Sequence, residues 1–323
     1  MKRIAILMLA IATIFTGCMV AGNEENDPIQ TEADVQHEEF IPEKLKRNDE
    51  GIPVLKVYVV DKKETETMDL ETYLQGVVAG EMKNDWPIEA LKAQAILART
   101  FTLNFLENKK SSYDGADIST DISEAQAYNA DKINDRIIQA VEETRGVVMV
   151  YDGELPLAWF HAHSGGVTEL PTVAIDYKED PEYLSVVSSY DSEKAPDDVK
   201  NWEVTFTAAQ IGEASAKCGV TTGDCRTFEI SEKGESGRAK TFVINGKEIS
   251  APTFRINIGA SELKSTLIES VNVANGKVTI KGKGYGHGVG MSQWGAYGLA
   301  ESGATAQSIV GHYFDGVDFV GLW

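Results

Sequence analysis

Positive charge is scarce in this chain. Its 323 residues hold 30 Lys and Arg against 50 Asp and Glu, a formal net charge of −20 at pH 7. That balance argues against nucleic acid as a partner and against holding anionic polymers by bulk charge, although a local basic groove stays open. Long apolar runs are lacking as well. The N-terminal run Ile4–Phe15 holds twelve residues, short of the roughly 20 that a spanning helix needs. Cysteine occurs three times, at 18, 218 and 225. No histidine stands near the last two, and two thiols do not make a tetrahedral zinc cage. The glycine-rich stretch "GKGYGHGVG" lacks the Gly-x-Gly-x-x-Gly spacing of a dinucleotide site. Position 162 is Ala, so the Gly-x-Ser-x-Gly elbow of a serine hydrolase is missing around Ser164. Neither a solenoid repeat nor a βαβ succession is found. Strands and helices come in blocks, which predicts an α+β fold.

The N-terminus carries a secretion pattern. Lys2 and Arg3 precede the apolar run, and Phe15-Thr16-Gly17-Cys18 closes it. The ending resembles a lipobox, in which the cysteine becomes the lipidated first residue; an uncleaved signal anchor is the alternative. Either places the protein on the extracytoplasmic face of the cell membrane, held by an N-terminal lipid or anchor. Residues 1–17 are then the signal peptide and 18–51 an acidic, flexible tether poor in large apolar residues. Residues 52–323 remain for one large catalytic domain or two lobes. With Cys18 assigned to lipid, Cys218 and Cys225 in "KCGVTTGDC" are expected to form a local disulfide.

Within the domain, "VLKVYVV" alternates as a strand does. Leu70–Met82 and Ile88–Leu106 read as helices, the second started by Pro87. Asp131 caps a helix that ends at Gly146. "GVVMVYDGELPLAWFHAHSGG" reads as a hairpin turning at Asp152-Gly153, and "LIESVNVANGKVTI" as another. Short strands are predicted near 203–206, 227–231 and 241–244, a helix around Phe254, and helical segments near 291–301 and 305–314. The architecture expected is a helical core with β-hairpins and small mixed sheets forming flanking lobes around a groove.

Three charges violate this pattern. On the first helix Leu70, Tyr73, Leu74, Val77 and Val78 form one stripe, and the stripe continues onto Glu81. Desolvation there, and the negative end of the helix dipole, both raise a carboxyl pKa. A proton held near neutral pH is what a general acid needs. On the second helix Lys92 and Arg99 fall within the buried face of Ile88, Leu91, Ala95, Thr102 and Leu106. Buried cations need partners. A salt-bridge network of Glu81 with Lys92 or Arg99, or a Glu81 that ends its helix in water, would explain the charges without catalysis.

"YLQGVVAGEM…WPIEALKAQAILARTF", "AQAY", "FHAHSGGVTE" and "GYGHGVGMSQWGAYGLAESG…SIVGHYFDG" together resemble the stage II sporulation protein D family, whose relatives include amidase enhancers. The resemblance spans roughly residues 52–320 in order. It implies a lytic transglycosylase acting on peptidoglycan glycan strands, with Glu81 as the catalytic residue, a role in engulfment during sporulation, and a cell-wall amidase as partner. A non-enzymatic amidase enhancer or wall-binding protein is the rival reading, and a water-using muramidase a third. Lys92 and Arg99 would restrain the ionised Glu81 or line the groove. Tight pairing would lower the Glu81 pKa and spoil the acid, which favours groove-lining. Gln126 and Tyr128 of "AQAY" become candidate groove residues.

The remaining motifs stay open between contact and support. His161 and His163 share a strand face, which allows metal binding, a structural turn or sugar binding; Ser164 and Gly165 bring backbone donors close to a ligand. Read with strand periodicity, "KGKGYGHGVG" has one bare face and one carrying Lys281, Lys283, Tyr285, His287 and Val289. His287, Ser292 and Gln293 are weighed between substrate contact and support behind it, and Trp294 and Tyr297 are read as core. Tyr183 and Asp191 of "PEYLSVVSSYD" would close the site from the other side. Some family members carry a zinc site before "QAY". The matching positions here are Tyr113, Ser119 and Ala125, none a strong ligand, so neither metal nor other cofactor is expected.

Overall fold

The computed structural model describes residues 38–323. The signal sequence, Cys18 and the larger part of the acidic stretch lie outside the described residues; the end of that stretch is no free tether, since Phe40, Ile41 and Leu45 are buried in the core and Lys46–Arg47 pairs antiparallel with Pro53–Val54. Asp69 closes a strand, Glu64–Asp69, that pairs antiparallel with Pro53–Val59. Its carboxylate accepts the Thr72 N–H and so starts helix α1, Leu70–Glu81. Helix α2, Ile88–Asn108, begins after Pro87, whose fixed φ favours a helix entry. Helix α3, Asp135–Glu143, is capped by Asn134, which accepts the Ile137 N–H. Asp131, the cap expected from sequence, sits instead in a short 3-10 turn, Ala130–Lys132. Asn134 offers the same side-chain acceptor one turn later.

The chain continues through α4 (Pro171–Ala174), α5 (Asp197–Lys200), α6 (Ala208–Lys217), α7 (Ala251–Ile258), α8 (Gln293–Glu301) and α9 (Ala306–Tyr313). Helix α2 is the hub, in contact with α1, α3, α8 and α9. Its faces are buried almost all round, from Ala90 to Leu106. The strands form five small sheets of two to four strands, mixed in direction and none closed into a barrel among the described residues. The class is α+β. Buried apolar side chains gather in two clusters. One surrounds α1, α2, α8 and α9; the other lies within residues 202–280, where three-stranded sheets meet α6 and α7.

Three local expectations are corrected. The stretch 147–161 is not a hairpin beyond one bridge, Tyr151 to Glu154, across the Asp152-Gly153 turn. Val147–Val150 pairs with Asp318–Gly321, and Phe160–His161 pairs in parallel with Met291–Ser292. Pro156 denies the second arm a ladder N–H, and four consecutive buried residues at 147–150 favour a partner that covers both faces. Secondly, the glycine-rich strand stops at Lys283. Gly284, Gly286, Gly288 and Gly290 all have positive φ, 65° to 109°, so the chain winds and the flat two-faced reading fails. Thirdly, Cys218 and Cys225 are unbonded. The Cys225 thiol is turned into the second core and donates to the Thr227 carbonyl at 3.5 Å, while Cys218 ends α6. The predicted hairpin 267–280 does form, turning at Asn275-Gly276.

Candidate active site

Helix α1 is built to receive a loop. A Cβ on Gly76 would lie 2.1 Å from the Tyr128 ring, and one on Gly80 would lie 2.6 Å from the Tyr128 backbone nitrogen. These two bare positions, one helical turn apart, let the segment 126–129 lie directly on the helix, and the Asn129 N–H donates to the Gly76 carbonyl at 2.8 Å. Tyr128 then stacks on Tyr73 with ring centroids 5.7 Å apart. The close approach brings the Ala127 N–H to Glu81 Oε1 at 2.7 Å. The other oxygen, Oε2, accepts from Gln293 Nε2 at 3.3 Å. Gln293 is the first residue of α8, and the same nitrogen lies 3.4 Å from Gln94 Oε1 on α2.

Glu81 is half-buried at the end of α1. Burial raises its carboxyl from 4.5 to about 6, against the pull of the Ala127 and Gln293 donors, which favour the ionised form. No cation binds it among the described residues. Arg99 is fully buried and makes a two-pronged pair with Glu71, 2.9 and 2.6 Å, with a third bond to the Val147 carbonyl at 2.9 Å. Glu71 is completed by the Gly146 N–H and the Trp323 ring N–H, each at 3.1 Å. Arg99 therefore lines no groove. Lys92 bridges Glu89 at 2.8 Å and Glu143 at 2.7 Å, joining α2 to α3. It too is occupied elsewhere, so neither cation lines a groove, and the alternative network with Glu81 does not form either.

A second network lies behind Gln293. Asp191 accepts the Ser292 hydroxyl and the Ser164 hydroxyl, each at 2.5 Å, the Gly166 N–H at 3.0 Å and the Ser189 hydroxyl at 3.1 Å. Ser292 in turn accepts the Gly295 N–H and so caps α8 one residue before Gln293. Burial opposes ionisation of Asp191, but the Ser164 and Ser292 hydroxyls and the Gly166 N–H favour the charged form, and the carboxyl stays below its ordinary value. Arg238, unmarked by the sequence reading and fully buried, donates to the Val167 carbonyl at 2.8 Å and to the Ser164 carbonyl. Gly288 lets it in, since a Cβ there would lie 2.4 Å from the guanidinium.

The sequence candidates thus divide. Glu81 and Gln293 meet; Gln126 and Tyr128 flank the amide that holds Glu81. Gln126 is buried and its amide donates to Thr102 Oγ at 3.2 Å. His161, His163, Ser164 and Ser292 are buried supports of the turn. His161 donates from Nδ1 to the Val289 carbonyl at 3.1 Å, His163 Nδ1 accepts the Gly165 N–H at 3.0 Å, and His287 Nδ1 accepts the Val289 N–H at 3.0 Å. Burial pushes His161 well down and, with Arg255 and Arg238, takes His287 to about 3, so both rings are neutral. Gly165 fits beside Leu267 and Lys283 with positive φ. Tyr183 is core: its hydroxyl accepts the Leu157 N–H and its ring faces Tyr151 and Phe314. No group of three or more His, Cys, Asp or Glu side chains suited to a metal occurs among the described residues. The sequence reading missed Ala127, Gln94 and Glu71. Ala127 acts through its backbone and left no signal; Gln94 lies off the face of α2 that the pattern marks as buried and is covered because the helix is packed almost all round.

An α+β protein with a lone, half-desolvated carboxyl group held by amide donors is the class these observations define. A family profile described as Stage II sporulation protein matches residues 60–151, and another described as a domain of unknown function matches residues 161–290. The chain is 32% identical over 290 residues to Stage II sporulation protein D of Bacillus amyloliquefaciens, which spans 85% of this chain and 80% of that one. It is 33% identical over 259 residues to an uncharacterized protein of Brachyspira hyodysenteriae, 78% and 67% of the two chains. It is also 30% identical over 295 residues to Amidase enhancer of Bacillus subtilis, covering 75% of this chain and 39% of that one. The chain belongs to the stage II sporulation protein D family.

Proposed function

We propose that this protein is a peptidoglycan lytic transglycosylase with Glu81 as its acid and base. The observation that carries the reading is the state of that one side chain: raised to about 6, half-buried, and bonded to an amide on each oxygen but to no cation. Ordinary glycosidases place two carboxylates across the scissile bond, one of them to activate water or attack carbon. A transglycosylase needs no such partner, because one carboxyl group can act first as acid and then as base. Protonated Glu81 donates to the glycosidic oxygen between N-acetylmuramic acid and N-acetylglucosamine as the C1–O bond breaks. The N-acetyl group of the muramyl sugar stabilises positive charge at C1. The ionised carboxylate then takes the proton of the muramyl C6 hydroxyl, whose oxygen closes on C1 to give a 1,6-anhydro end. Proton count and atoms balance, and Glu81 ends protonated as it began.

The setting we propose is the outer face of the cell membrane, through an N-terminal lipid or anchor, with glycan cutting in sporulation engulfment beside a cell-wall amidase. The name of the Bacillus subtilis relative supports a second reading, a wall-binding amidase enhancer without turnover. Mass analysis of digested glycan strands separates them. New 1,6-anhydro-muramyl ends support the transglycosylase. Reducing ends mean a water-using muramidase, and intact strands with a faster amidase mean an enhancer.

A further inference from the structure

The two oxygens of Glu81 are held by different kinds of donor. Oε1 accepts a backbone N–H, which cannot reverse, at 2.7 Å. Oε2 faces a side-chain amide, which can, at 3.3 Å. Gln293 directs one Nε2 hydrogen at Glu81 and the other at Gln94 Oε1, 3.4 Å away. This arrangement suits the carboxylate. It leaves Gln94 Nε2, on a side chain with 0% exposure, without a partner. An unpaired buried donor is costly, because it has given up water and gained no partner. Turning both amides over reverses every polarity in place. Gln94 Nε2 then donates to Gln293 Oε1, and that oxygen also accepts the hydroxyl of a protonated Glu81. The exchange trades an orphaned donor for an orphaned carbonyl, which interiors tolerate more readily. No backbone has to move, because an amide presents nitrogen and oxygen at nearly the same positions.

We propose that Gln293 and Gln94 form an amide pair that turns over with the protonation of Glu81, which makes Gln293 the positioning residue of the acid–base oxygen Oε2. The proposal deepens the acid–base reading of Glu81 and rests on it. The groups facing Glu81 are few. On α1, Tyr73 is the titratable group whose ionisation the Glu81 charge opposes. Helix α2 presents Gln94, α8 presents Gln293, and the 126–129 segment presents the Ala127 amide. Lys92 on α2 is bound to Glu89 and Glu143. The capping chain through Asp191 and Ser292 fixes where Gln293 begins α8. The pair therefore responds to one proton.

Nuclear magnetic resonance on isotope-labelled protein tests this without substrate. The Glu81 carboxyl carbon and the side-chain amide signals of Gln293 and Gln94 are followed from pH 4 to 8. We expect all three to move with one midpoint. Gln293→Met should raise the Glu81 midpoint by up to about one pH unit, because the bond lost from the charged form is stronger than the one lost from the neutral form. Amide signals that stay fixed while Glu81 titrates overturn the proposal, and that result needs only the unmodified protein. A Glu81 midpoint unmoved by Gln293→Met does the same. Coupled titration in a protein that leaves glycan strands intact would keep this inference and remove the transglycosylase reading; cleavage with static amides would do the reverse.

Discussion

Glu81→Gln should abolish chemistry and stabilise the fold in the same stroke. The folded carboxyl is raised from 4.5 to about 6 by burial. The folded protein therefore holds this proton more tightly than the unfolded chain does. Below pH 4.5 both states are protonated and the side chain carries no electrostatic penalty. The penalty grows as pH rises from 4.5 through 6 and is complete above. At about 1.4 kcal/mol per pH unit, the ionised group costs the folded state about 2 kcal/mol at pH 7.5. Glutamine keeps the shape, keeps an oxygen for the Ala127 N–H, and carries no charge. The substitution should gain about 2 kcal/mol at pH 7.5, roughly 3–6 °C in melting temperature for a domain of this size, and nothing at pH 4. Cleavage of glycan strands should fall by about 10²–10⁴, the usual loss with a general acid. Denaturant unfolding at the two pH values, beside a glycan digest, reads both effects. Equal stability of the two proteins at pH 7.5 would refute the desolvation argument. Undiminished cleavage by the folded variant would refute the assignment of the acid.

Arg99→Met should cost about 3–5 kcal/mol, since it strands Glu71 in the interior; a folded, equally stable variant with only weakened substrate binding would restore Arg99 to a groove. Gly80→Ala should destabilise by about 1–3 kcal/mol and raise the Glu81 midpoint, because a Cβ 2.6 Å from the Tyr128 nitrogen pushes the Ala127 donor away; an unchanged midpoint by carboxyl titration would contradict the contact. Alkylation of the unfolded, unreduced protein followed by mass mapping should label both Cys218 and Cys225, whereas a pair that resists labelling until reduced would reinstate the disulfide.

Periodicity along the chain was enough to place α1, α2 and the late hairpin, to set the α+β class, and to mark Glu81, Lys92 and Arg99 as charges on apolar faces. That much is local, because a helix fixes which residues share a side every third or fourth position. What a charge meets on that side is not local. Arg99 finds Glu71, 28 residues away, and not Glu81; Lys92 finds Glu143 on a helix reached through a long loop. The hairpin read at 147–161 failed for the same reason, since its arms prefer strands from the far end of the chain. Histidines and serines whose types suggest chemistry proved to be the scaffold of a turn, a fact set by burial alone. The pairing that defines the site, Glu81 with Gln293, joins residues 212 apart, and its other half is a backbone amide that no side-chain pattern records. Sequence marks Glu81 because desolvation follows from its place on one helix; only the packing of α1, α2, α8 and the 126–129 segment decides which donors hold it and leaves it free of cations.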